Sequence, residues 1–219
     1  LLVVQQMVTS ESGEVQFKDV SQVDDQTVGL PDKRYSIISE DPAVLFTAPA
    51  DGRYRILLRN QYGGSQAQAP LYVLTVRPPK PDFRLLAMPV KTNPSGADNL
   101  TRPWTCAIHR GGAERIAVVA WRREGFNGEI QLEAKLLPEG IDADPAVIGE
   151  GSVMAEMVIR ADEDAPAWGG FIDVVGRAQI GQERLTRTAR GAEFVFEGPD
   201  DNTPGPWRLT RGMAMAVRH

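Results

Sequence analysis

The sequence predicts an all-β protein built as two β-sandwich domains in tandem. Three observations point there. Apolar and polar residues alternate with period two along much of the chain, turn-forming residues divide the alternating runs, and no amphipathic helical pattern lies between them. The cleanest alternation is Glu129-Ile130-Gln131-Leu132-Glu133-Ala134-Lys135, which suits a strand with one buried and one wet face. Residues 53–59 place Tyr54, Ile56 and Leu58 on one face and three arginines on the other, and residues 153–160 repeat the pattern. Further strands are expected over 1–7, 14–20, 44–48, 71–77, 83–88, 116–123, 171–180, 183–189, 192–197 and 207–217. Pro49-Ala50-Asp51-Gly52, Gly63-Gly64, Asn127-Gly128, Gly149-Glu150-Gly151 and Ile180-Gly181 supply the turns between them.

Arg77-Pro78-Pro79-Lys80-Pro81 marks the domain boundary. Each proline lacks the N–H that a central strand must donate, and the run favours a stiff extended spacer. Residues 1–77 therefore form the first domain, 78–81 the linker and 82–219 the second domain. Residues 91–103 and 198–206 read as long loops in the second domain.

Composition narrows the function classes. The 219 residues are 42% hydrophobic, enough for packed cores, and carry a formal net charge of -5. Neither half is basic, which argues against a nucleic-acid partner. No apolar run reaches the roughly 18 residues a membrane-spanning helix needs, so membrane insertion by such a helix is not expected. Cys106 is the single cysteine, so no internal disulfide can form.

Phe46-Thr47-Ala48-Pro49-Ala50-Asp51-Gly52-Arg53-Tyr54-Arg55-Ile56 resembles the hallmark turn and strand of the bacterial pre-peptidase C-terminal domain. The stretch 1–6, the Ser12-Gly13 turn and the pair Asp24-Asp25 match that family's middle portion. Residues 122–130, with Leu137-Pro138-Glu139-Gly140-Ile141, are similar to an immunoglobulin-like module. The resemblance implies a partial, jelly-roll-like first sandwich and an immunoglobulin-like second one. It also implies a secreted, periplasmic or cell-envelope setting in a bacterium. Some relatives of the first family bind calcium or polymers such as collagen and polysaccharide. The chain opens on Leu1-Leu2-Val3-Val4, inside a strand-like run, so the family's first strands are expected to be missing. With about five strands against the roughly seven of a full sandwich, some of Val15, Phe17, Phe46, Tyr54 and Ile56 should then be poorly buried.

Residues able to carry chemistry are few. His109 stands three positions after Cys106, in a segment that reads as a loop leading into a strand, and the only other histidine is His219. That spacing does not build a nucleophile–base pair, and no nucleophile elbow, Walker loop, HExxH or paired CxxC is present. No enzyme activity and no organic cofactor is expected. The acid groups Asp142-Ala143-Asp144 and Asp162-Glu163-Asp164 precede prolines and suit solvated turns. Calcium is the one ion these residues suit, since hard cations need several carboxylate and carbonyl oxygens. Asp24, Asp25 and Asp41, flanking successive strands, are the candidate ligands, and Asp200-Asp201-Asn202 is a weaker group. Tyr62 and Trp168, expected in turns beside glycine pairs, are the candidate ligand-binding rings, because an exposed ring can stack on a sugar or cover a peptide. The alternative for Trp168 is to plug one end of the sandwich.

The function expected is that of a non-catalytic accessory segment spacing or docking the neighbouring domains of a larger exported protein. One alternative is a carbohydrate- or protein-binding module, with or without a need for calcium, and with polysaccharide or protein as partner. Another is a piece of an extracellular enzyme whose active site is completed elsewhere.

Overall fold

The computed structural model describes residues 1–28, 37–39, 41–60, 71–90, 106–194 and 207–219. The protein is all-β: every regular element among the described residues is a strand. These residues fall into two compact units, the first ending at Pro79 and the second spanning Lys80–His219.

In the first unit, β1 (Leu2–Thr9) lies between β2 (Val15–Val23) and β5 (Tyr54–Leu58), all antiparallel. β3 (Gln26–Val28) and β4 (Ile37–Ser39) form a separate pair. A tight turn joins β1 to β2, with Gly13 at φ 83° and its N–H donating to the Ser10 carbonyl over 2.9 Å. The register slips between Val4 and Gln5, which face Ser21 and Asp19, so Val20 bulges out of the ladder. Leu2, Val3 and Val4 are buried, but burial fades along β1 towards Val8. Val15, Phe17 and Ile56 are exposed, and Phe46 and Tyr54 are only half-buried.

Two expected strands of this unit do not form. Residues 44–48 and 71–77 have strand composition, yet neither pairs with a described strand. Alternation records which faces a segment can bury; pairing needs a neighbour with a free edge at the right place.

The second unit is a two-layer sandwich. One sheet has the order β10 (Ile141–Ala143), β12 (Met154–Ala161), β8 (Ala113–Arg123), β6 (Asp82–Pro89), β15 (Arg190–Phe194) and β16 (Trp207–Thr210). The other has β11 (Ala146–Ile148), β9 (Ile130–Lys135), β13 (Trp168–Ile180), β17 (Met213–Arg218) and β7 (Cys106–His109), with β14 (Glu183–Thr188) also paired to β13. Their inner faces make one core, in which Phe83, Leu85, Ile116, Val118, Met157 and Ile159 meet Ile130, Leu132, Ile172, Val174, Met213 and Met215. The alternation of residues 129–135 is realised in buried Ile130 and Leu132.

Three departures from the sequence expectation bear on the candidate sites and on the closure of the core. The run 207–217 is two strands in different sheets, broken at Arg211-Gly212. A Cβ at Gly212 would stand 2.9 Å from the Ile172 carbonyl oxygen, so the crossing needs a residue without a side chain. Cys106–His109 is a strand rather than a loop, pairing in parallel with β17. β13 starts at Trp168, so Trp168-Gly169-Gly170 lies in the ladder opposite Val217, Ala216 and Met215 rather than in a turn.

Candidate functional site

Cys106 and His109 share β7 but face opposite ways, as residues three apart on a strand must. Cys106 is sealed in the core, where burial, reinforced by the charge of Glu114, pushes its thiol up to about 12. His109 is exposed, with Nδ1 3.1 Å from the backbone oxygen of His219. A thiol kept neutral and turned away from the nearest imidazole lacks both the nucleophilic form and a base to generate it.

The acid pairs are engaged at the surface. Arg160 on β12 donates from both terminal nitrogens to Asp144, one bond being 2.9 Å, and also lies 3.7 Å from Asp142. The hydrogen bond from Arg160, together with its charge, holds the Asp144 carboxyl below its usual range, against a smaller opposing desolvation. Asp162 acts through its backbone. Its N–H donates to the Gly140 carbonyl over 2.9 Å, and its carbonyl accepts from Gly111 and Ala165, so three loops meet there.

Asp24 and Asp25 follow β2 and are exposed; Asp24 lies 3.8 Å from the Leu1 ammonium. Asp41 is also exposed. Among the described residues, no group of three or more His, Cys, Asp or Glu side chains is placed to hold a metal ion, so these three aspartates do not form one. Asp200-Asp201-Asn202 and Tyr62 lie outside the described residues.

Trp168 is half-buried and packs against the core, its ring lying back along its own strand. An ideal Cβ at Gly170 would come within 2.5 Å of ring atom Cζ2, so the glycine makes room for the indole. The exposed ring of this strand is Phe171, on the opposite face.

The hallmark turn of the first unit is held by its own tyrosine. The Tyr54 hydroxyl donates to the Ala50 carbonyl over 2.6 Å, spanning Asp51-Gly52-Arg53, while the Phe46 ring meets Tyr54 edge-on at 5.4 Å. On the neighbouring face, Gln5 bridges two charged partners. Its Oε1 accepts from Arg55 Nε at 2.8 Å, and its Nε2 donates to Asp19 Oδ1 at 2.5 Å. The Arg55 guanidinium lies 3.4 Å from the centre of the exposed Phe17 ring. Sequence reasoning did not find this network, since its members come from three strands and share no motif.

Among the described residues of the unit, the most open apolar surface is the segment 71–76. Leu71 is 102% exposed and Val73 94%. Tyr72 and Val76 are exposed too. One signal in the sequence could have set this segment apart: Leu71-Tyr72-Val73-Leu74-Thr75-Val76 is apolar at nearly every position, unlike the alternating run 53–59.

No protein-family model, curated protein or solved structure matches the chain.

Proposed function

We propose that the chain is a non-catalytic interaction segment of a larger exported protein, whose work is done by surfaces rather than by a reactive centre. The observation that carries this is where the open side chains lie. The thiol is sealed and the acid pairs Asp142 and Asp144 are tied to Arg160, whereas Leu71, Val73, Phe17 and Phe171 face solvent. Large apolar side chains left open on each unit, Leu71, Val73 and Phe17 on the first and Phe171 on the second, suit docking surfaces better than chemistry. The bacterial, exported setting rests on the likeness of residues 46–56 to the pre-peptidase C-terminal domain, and the immunoglobulin-like assignment of the second unit rests on residues 122–141.

The test is a panel of chromogenic ester, peptide and glycoside substrates beside an array of polysaccharides and matrix proteins. The expected result is no turnover by the purified chain. Turnover abolished by Cys106→Ala, His109→Ala or loss of one surface carboxylate would sink the proposal.

A further inference from the structure

We infer that Asn127 is a site of spontaneous covalent modification by water. Its carboxamide closes on the backbone nitrogen of Gly128 and reopens as aspartate or, mostly, isoaspartate. This chemistry needs neither a docking surface nor a partner, so it stands apart from the proposed function.

Asn-Gly occurs once in the sequence, since Asn60, Asn93, Asn99 and Asn202 are followed by Gln, Pro, Leu and Thr. A side chain on the following residue crowds the nitrogen that must attack, and glycine has none. Asn127-Gly128 lies outside the ladders, between the end of β8 at Arg123 and the start of β9 at Ile130. Asn127 is exposed, so water reaches its carboxamide. The reacting groups are neighbours in one chain, which spares the entropy of bringing them together.

The bonds around this peptide favour loss of its proton. The Asn127 carbonyl accepts from the Gly151 N–H over 3.1 Å, and that carbonyl shares one peptide group with the Gly128 N–H. Electron density drawn towards the oxygen makes the nitrogen more acidic. The next carbonyl, of Gly128, accepts from Arg122 Nη1, and the guanidinium charge favours a nearby anion.

The deprotonated Gly128 nitrogen attacks Asn127 Cγ. The N–Cγ bond forms, the Cγ–Nδ2 bond breaks, and Nδ2 leaves as ammonia with the proton that Gly128 gave up. Water then adds to the cyclic imide. Addition at Cγ breaks the new bond and leaves Asp. Addition at the backbone carbonyl carbon breaks the old peptide bond and leaves isoAsp, whose chain runs on through Cβ and Cγ. The oxygen that Gly151 holds then belongs to a free carboxylate, and Gly128 is displaced by an extra backbone carbon. Gly151 and Arg122 cannot both keep their partners, so the loop after β8 parts from the loop before β12.

Ageing of the folded chain in mildly alkaline buffer tests this, beside Gly128→Ala and Asn127→Gln. Digested peptides are weighed and probed with a methyltransferase that labels isoAsp. The wild-type peptide holding Asn127 should gain the mass of an amide-to-acid change and take the label. Hydrogen exchange at residues 149–152 should be faster in the aged protein than in the fresh one. G128A should gain mass several-fold more slowly. Its Cβ meets Phe126 Cε2 at 3.2 Å, so should it fold poorly, N127Q carries the comparison. The Gln side chain is a methylene longer and closes its ring far more slowly, so N127Q should show neither the mass gain nor the faster exchange. A folded wild type that gains no mass while the urea-unfolded chain does would overturn the inference. So would a gain confined to other asparagines, or an aged protein whose loops exchange like the fresh one.

Discussion

Leu85 on β6 fills the space directly over Gly176 on β13, in the opposite sheet of the second unit. An ideal Cβ at Gly176 would run into Leu85 Cδ1 and stand 2.9 Å from Ile130 Cγ2. The glycine is thus a packing residue of the core, and the two layers close over it.

Gly176→Val should therefore destabilise the second unit by about 1–3 kcal/mol, the usual range for overpacking a close-packed core. Gly169→Ala is the matched control on the same strand, since a Cβ there meets nothing within 4 Å. It should change stability by no more than about 0.5 kcal/mol. Urea denaturation of the two variants checks the pair, and equal effects would mean that strand entropy rather than packing sets the cost.

Arg122 should matter beyond its charge. Its Nε donates to the Ser152 carbonyl at 3.1 Å, Nη1 to Gly128 at 2.5 Å and Nη2 to Gly149 at 2.7 Å, with Phe126 under the guanidinium at 5.2 Å. One side chain thus ties the loop after β8 to the loop before β12. Arg122→Lys keeps a cation but cannot offer a planar fork to three carbonyls. It should cost about 1–3 kcal/mol and speed hydrogen exchange around residues 127–128 and 149–152. Unaltered exchange in both loops would remove the tether from the account.

Strands that satisfy themselves locally were legible, and those decided by distant partners were not. Ile130 and Leu132 could be placed inside from alternation alone, because one wet and one dry face is a property of the segment. Residues 71–76 have better strand composition and still pair with no described strand, because a ladder is a property of two segments. Cys106–His109 has only four residues, too few to show a period. The break at Gly212 depends on the Ile172 carbonyl, some forty residues away in sequence. At the candidate sites, the opposed directions of Cys106 and His109 follow from spacing once the segment is known to be a strand. Trp168 was placed in a turn because its two following glycines read as punctuation, when one of them is a seat for the indole.

The Tyr54 hydroxyl offers a small and separable effect. Tyr54→Phe keeps the edge contact with Phe46 and removes the hydroxyl's two bonds to Ala50, the one it donates to the carbonyl and the longer one it accepts from the N–H. It should lower stability of the first unit by about 0.5–1.5 kcal/mol, and Tyr54→Ala by more, because the ring contact goes too. Melts of both variants would show whether ring and hydroxyl contribute separately; equal losses would assign the whole effect to the hydroxyl.

Cys106 should make the second unit sensitive to alkali. In the folded chain burial raises the thiol from 9.0 to about 12, with the nearby Glu114 charge acting the same way. Between those values the unfolded chain has lost the proton and the folded chain has kept it. The unfolded state therefore binds fewer protons, and stability falls as pH rises through that window. Below the unfolded value both states hold the proton, and Cys106 contributes no pH dependence. Cys106→Ala should flatten the part of the alkaline slope that this group causes, at the cost of a small cavity. In the native wild-type protein a thiol reagent should react slowly at neutral pH, and rapidly once denaturant exposes the strand. Fast labelling of the folded chain at neutral pH, or an alkaline slope identical in Cys106→Ala, would show that the thiol is not held as β7 places it.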